Sequence, residues 1–205
     1  ALMFSIVEIG SLILQRAINN FGTATIAAHT AARKISSILM LPYSAFGSAC
    51  ATYCSQNLGA GRPERVGKGI KSAVFMCWVW SAMAVVVGYL FSPAIVSWIA
   101  GTDETFIVDL ASKYMRVNTP FYFILAVLIV MRSSLQGLGR KSIPVASSII
   151  EMIGKAVVAF AAAPVLGYFG VMISEPIVWF FMTVLLVWGY ARDRELVRAT
   201  FVSEK

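Results

Sequence analysis

The sequence predicts an all-α integral membrane protein with six transmembrane helices. Three observations carry that prediction. Hydrophobic residues make up 59% of the 205 and charged residues only 13%, whereas a soluble domain averages about a quarter charged. Six apolar segments follow one another, most of them longer than the ~20 residues that span a bilayer. The basic residues behind the formal charge of +7 sit in short connections between these segments. That placement argues for orientation in a lipid bilayer and against a nucleic-acid partner.

The segments run roughly over 2–19, 27–58, 66–98, 113–137, 143–165 and 171–190. The first opens on Ala1, already inside apolar sequence and without a charged flank, and reads as the interior of a longer polypeptide. The second, from Ala27 through Pro42 to Gly59, would measure roughly 50 Å as one helix at 1.5 Å per residue. It must tilt, bend at Pro42 or project beyond a core of ~30 Å. Turn signals separate the segments at Asn19-Asn20-Phe21-Gly22, Gly59-Ala60-Gly61, Gly101-Thr102-Asp103-Glu104, Gly137-Leu138-Gly139 and Leu166-Gly167.

Charge sets the orientation. The second connection carries Arg62, Arg65, Lys68 and Lys71, the fourth Arg140 and Lys141, and a tail over 191–205 carries Arg192, Arg194, Arg198 and Lys205. The opposite connections, near Asn20, Thr102 and Gly167, carry none, and counting Lys113 and Arg116 to that side changes little. The positive-inside rule then puts both ends of the chain in the cytoplasm. Gly59-Ala60-Gly61 and Gly67-Lys68-Gly69 do not make a phosphate loop. The glycine five residues before the Gly-Lys pair and the following Ser or Thr are missing. A turn with Pro63 opening the next helix fits, with anionic lipid headgroups as a further contact. Cys50 and Cys54 share a helix face, but a single histidine and no neighbouring acid make them, with Cys77, small core residues.

Polar groups within a span are costly and mark candidate sites. On the first helix Glu8, Ser11, Gln15 and Asn19 fall within about 80° of one another at 100° per residue. Such a stripe faces other helices, as hydrogen-bonding glue, or a water-filled cavity. On the fourth, Asn118, Tyr122, Arg132 and Gln136 share a face; on the fifth, Ser147, Ser148, Glu151 and Lys155 do. Arg132 and Glu151 each lie about eight residues from the same turn, roughly 12 Å deep, so an Arg132–Glu151 pair is expected with Lys155 nearer mid-membrane. That network either fixes packing or serves function. His29 is expected near the outer end of its helix, Arg33 and Lys34 to snorkel outward, and Glu175 to mark a span boundary.

At this point the chain resembles a known family. Phe21-Gly22 with Ile26-Ala27-Ala28-His29, then Pro42, then Gln56-Asn57-Leu58-Gly59-Ala60-Gly61 and Pro63-Glu64-Arg65, are similar to the MATE (multidrug and toxic compound extrusion) transporters. So are Leu135-Gln136-Gly137-Leu138-Gly139, Glu151 with Lys155, and Pro176 with Trp179. The resemblance covers essentially the whole chain and corresponds to the family's second six-helix half. It implies one lobe of a twelve-helix transporter in the cell (plasma or inner) membrane, partnered by a missing N-terminal six-helix lobe. Such a protein exports small organic, often cationic, substrates in exchange for H⁺ or Na⁺ and uses no other cofactor. In some branches a carboxylate on the seventh helix contributes to the cation site, and Glu8 falls at the matching place, which would give a Na⁺ site at Glu8. Other branches put the key acid in the first lobe. Together the polar faces and the resemblance give Glu8, Gln15, Asn19, Tyr122 and Gln136 as candidates for substrate and cation, beside the charge network Arg132, Glu151 and Lys155. Lys155 stands where the family more often has arginine, which costs bidentate pairing.

The leading expectation is therefore half of a cation-coupled antiporter working by alternating access. A flippase for lipid-linked precursors is the alternative within transport, favoured by a strongly cationic cavity. A non-transporting membrane subunit is the structural alternative, opposed by polar stripes on several separate helices. Enzyme chemistry is not expected: there is one histidine, no acidic cluster and no nucleophilic triad.

Overall fold

The computed structural model describes the backbone of residues 2–203 and the side chains of residues 5–193. The side chains of Arg194 and Arg198, and the whole of Lys205, lie outside the described residues. The described chain is helical almost throughout. It runs through α1 (Leu2–Ile18), α2 (Thr23–Gly59), α3 (Pro63–Leu90), α4 (Ser92–Ala100), α5 (Thr105–Asn118), α6 (Tyr122–Gly137), α7 (Ser142–Val157), α8 (Ala163–Leu166) and α9 (Tyr168–Ser203). Short 3₁₀ turns at Asn19–Phe21 and Thr119–Phe121 join α1 to α2 and α5 to α6, and a π turn at Val158–Ala162 joins α7 to α8.

Among the described residues five helical segments are long and apolar enough to cross a bilayer: Thr23–Gly59, Pro63–Leu90, Thr105–Gly137, Ser142–Leu166 and Tyr168–Asp193. The 17-residue α1 completes the bundle. α2 is its hub, with α3, α4, α5 and α6 all packed on it. α9 lies against α5, α6 and α7, and α1 runs along α7. Two long helices carry exposed apolar faces, as lipid requires. On α9, Ile177, Phe180, Phe181, Val184 and Trp188 recur at helical spacing and are all exposed. On α3, Phe75, Val79, Met83, Val86 and Leu90 do the same.

Two segment boundaries differ from those read in the sequence. The third segment is two helices. α3 stops at Leu90 and α4 starts at Ser92 with Pro93 in its first turn. α4 ends at Gly101, whose φ of 65° is left-handed and closes the helix without a Cβ penalty. The fourth segment begins at Thr105, not Lys113, because Ile107, Ala111, Tyr114 and Met115 already bury one face of α5. Gly137 allows the end of α6 to approach α2: a Cβ there would sit 2.9 Å from Ala51 Cα.

The prolines are accommodated by neighbours. α2 continues through Pro42, which withholds the amide that the Ile38 carbonyl would accept, and beside it the Trp80 indole donates to the Leu39 carbonyl at 2.9 Å. Pro176 in α9 deprives the Met172 carbonyl in the same way. Asn118, 1% exposed, donates from Nδ2 to that carbonyl at 3.1 Å and to the Tyr114 carbonyl at 2.9 Å. Asn118→Leu should cost about 1–3 kcal/mol by stranding the Met172 carbonyl. Adding Pro176→Ala restores an amide there and should recover most of the loss in thermal unfolding in detergent. A double variant no more stable than Asn118→Leu would show that the side chain does not serve that carbonyl.

Candidate functional site

Between α1, α2, α7 and α9 lies a cavity of about 260 Å³. α1 contributes Ser11, Leu14, Gln15 and Ile18; α2 contributes His29, Thr30 and Arg33; α5 contributes Tyr114. Lys155 of α7 and Val171, Ser174 and Glu175 of α9 close it. The local reasons are helical. His29 and Arg33 are one turn apart and so project on one face of α2. Glu175 is carried in by α9 at the turn containing Pro176.

Arg33 Nη1 pairs with Glu175 Oε1, and the Tyr114 hydroxyl donates to the other carboxylate oxygen at 3.0 Å. The Glu175 side chain is only 11% exposed and that of Arg33 is 40% exposed. His29 Nδ1 meets the Tyr168 hydroxyl at 2.9 Å, and its ring stands edge-on to both Tyr114 and Tyr168. A carboxylate with one cationic partner, an aromatic wall and a cavity beside it can exchange that partner for a proton, a metal cation or an organic cation.

A second network reaches the cavity through Lys155. Its Nζ lies 2.9 Å from Glu151 Oε1 and donates to Ser11 Oγ at 3.0 Å. Arg132 Nη1 stands 3.7 Å from Glu151 Oε2, and Arg132 also donates to Ser148. One carboxylate thus serves two cations, Lys155 buried and Arg132 part-buried. The expected Arg132–Glu151 approach is present, and Lys155 is the closer partner.

Of the substrate residues expected from the sequence, Gln15 lines the cavity and donates to Asn19 Oδ1 at 3.0 Å. Asn19 itself and Glu8 are exposed and stand outside the cavity lining. Tyr122 is 1% exposed in the core, edge-on to Tyr43. Gln136 is exposed in the last turn of α6. Two expectations are corrected. Arg33 does not snorkel outward, and Glu175 is not a boundary residue, because each is the other's partner inside the bundle. Depth held the signal. Arg33 lies eleven residues beyond Gly22 and Glu175 eight beyond Gly167, roughly 16 and 12 Å from turns at the same end. Two opposite charges at matched depth within spans are expected to meet.

An all-helical, multi-pass membrane bundle with opposed charges enclosed between its helices is the architecture of a membrane transporter lobe. The chain belongs to the MatE family, whose sequence model matches residues 1–161. The resemblance read from Gln56-Asn57 through Arg65 is thereby borne out, and members of this family are transporters, not enzymes. The chain is 22% identical over 188 residues to the "Probable multidrug resistance protein YoeA" of Bacillus subtilis (strain 168), covering 90% of this chain and 40% of that protein. It therefore spans about two-fifths of the length of this curated relative. A solved crystal structure of a MATE point mutant superposes with a TM-score of 0.79 at 14% identity, over 91% of this chain and 42% of that one, and supports the fold.

Proposed function

We propose that this chain forms one six-helix lobe of a cation-coupled secondary antiporter that exports small organic cations across the cell membrane. The observation that carries the reading is the Arg33–Glu175 pair, a carboxylate enclosed beside a cavity. An organic cation, Na⁺ or H⁺ competes with Arg33 for Glu175. Each occupant leaves a different charge between α2 and α9, and rocking against a second lobe exposes the cavity to one side and then the other. Gln15 and Asn19 form the polar approach, and Glu8 is the alternative coupling carboxylate on α1. Arg33 and Lys155 each have a carboxylate partner. The cavity is therefore not strongly cationic, which favours this reading over a flippase for lipid-linked anions.

Reconstituted with its second lobe, the protein should expel a cationic dye from proteoliposomes when an H⁺ or Na⁺ gradient is imposed. Dye movement indifferent to both gradients would defeat the coupling. The proposed orientation has its own test. Cysteines replacing Arg65 and Thr102 should react with an impermeant reagent from opposite sides, Arg65→Cys from the cytoplasm. Labelling of both from one side would contradict it.

A further inference from the structure

On another face of α5 a second cleft, of about 590 Å³, opens at the surface and shares no lining residue with the cavity above. Its volume is within the ~300–1,000 Å³ usual for ligand sites. One wall is α5, which presents Asp109, Ser112, Lys113 and Arg116; the others include Tyr89 and Pro120. Asp109, Lys113 and Arg116 are all exposed, and none has an ion-pair or hydrogen-bond partner among the described residues. That is unusual for an acid and a base at i, i+4 spacing, where a pair would ordinarily form. Ser112 is 3% exposed and its hydroxyl, in the cleft wall, has no partner. The hydroxyls of Ser92 and Thr119, adjacent in sequence to the lining residues Pro93 and Pro120, are buried and unpartnered as well. Of the three only Ser112 lines the cleft, and a buried hydroxyl left unsatisfied in the wall of a charged cleft points to a ligand with an acceptor oxygen.

The level of the cleft in the membrane names the ligand. The segment Thr105–Gly137 has 33 residues, roughly 50 Å of helix for a hydrocarbon core of ~30 Å. A helix that long projects beyond the core, and exposed charges are costly in hydrocarbon, so the face bearing Asp109, Lys113 and Arg116 meets the headgroup layer at the Thr102 end. Tyr89 at 48% and Trp98 at 83% exposure are aromatic residues of the kind that occupy that layer. Phe121 is exposed on the Gly137 side of the cleft, toward the membrane core, and Phe106 on its outer side. Two cations suit a phosphate diester, and one carboxylate one turn away suits an ammonium tethered to it.

We propose that this cleft binds the headgroup of an aminophospholipid, with the phosphate on Lys113, Arg116 and the Ser112 hydroxyl and the ammonium on Asp109. The test is lipid binding to the purified, delipidated protein, read by native mass spectrometry. Phosphatidylethanolamine should bind more tightly than phosphatidylcholine, whose quaternary ammonium cannot donate to Asp109, and more tightly than phosphatidylglycerol. Lys113→Ala with Arg116→Ala should weaken phosphatidylethanolamine by about thirtyfold. Asp109→Asn should abolish the preference over phosphatidylcholine while leaving phosphatidylglycerol bound. All three side chains are exposed, so these variants keep the fold, and unchanged thermal unfolding verifies it. Unaltered phosphatidylethanolamine binding by the Lys113/Arg116 variant would overturn the site. Equal binding of phosphatidylcholine by the unaltered protein would overturn the ammonium assignment. Glycerophosphoethanolamine binding as tightly as the lipid would overturn the membrane as its source.

Discussion

Glu175→Gln is expected to remove ion-coupled efflux while leaving the protein folded. Glutamine has the same shape and still accepts the Tyr114 hydroxyl, but it holds no charge for Arg33, a proton or a cation. The Arg33 left without a carboxylate has a side chain 40% exposed, so water reaches it and the fold bears a modest cost. Coupled efflux should fall by about a hundredfold, the ~3 kcal/mol typical of losing a desolvated charge interaction. The reciprocal change should behave differently. Arg33→Gln strands a carboxylate only 11% exposed, so folded yield should drop along with transport. Glu8→Gln separates the two candidate carboxylates. If Glu175 couples, this variant transports normally; if Glu8→Gln is the dead variant and Glu175→Gln transports, the coupling acid is on α1.

The second large effect concerns the carboxylate shared by two cations. Glu151→Gln leaves both Lys155 and Arg132 without a counter-charge, and the Lys155 side chain is 9% exposed. Breaking a buried pair from one side typically costs ~3–5 kcal/mol, so folded yield in detergent should collapse. Arg132→Gln together with Glu151→Gln should recover only part, since Lys155, the partner at 2.9 Å, remains unpaired. Glu151→Leu with Lys155→Met should recover more, because it removes the closer pair as a unit. A yield for Glu151→Gln equal to that of the unaltered protein would show that the three residues do not depend on one another.

Periodicity and depth explain what could be read from the sequence. Apolar runs and turn glycines place the helices because both are local properties, and Gly101 ends α4 through its own backbone angle. The break at Phe91 was not legible, since no charged residue falls between Ser72 and Trp98 and only Pro93 hinted at a new helix. The start of α5 was hidden for the opposite reason. Asp109 and Lys113 make that stretch look like a connection, while the residues between them pack inward. Arg132 and Glu151 were predictable because a single turn joins their helices and fixes both depths. Arg33 and Glu175 lie 142 positions apart; matched depth marks both as candidates, but which charge each meets depends on α9 returning beside α5 and α6, which no local pattern encodes. Asn118 was visible as a polar residue, but its service to the Met172 carbonyl follows only from where Pro176 comes to rest.

In the proposed mechanism the cavity between α1, α2, α7 and α9 receives the transported cation. The direct measurement is protection of a cysteine placed in its wall, in a background lacking Cys50, Cys54 and Cys77. Thr30 is exposed and lines the cavity one helical step from His29. Thr30→Cys should react with a cationic thiol reagent, and a saturating cationic dye should slow that reaction about tenfold or more, as occupancy of a shared site requires. In the Glu175→Gln background the dye should protect far less. A modification rate unchanged by the dye, in protein that still transports it, would place the substrate path elsewhere and contradict the account.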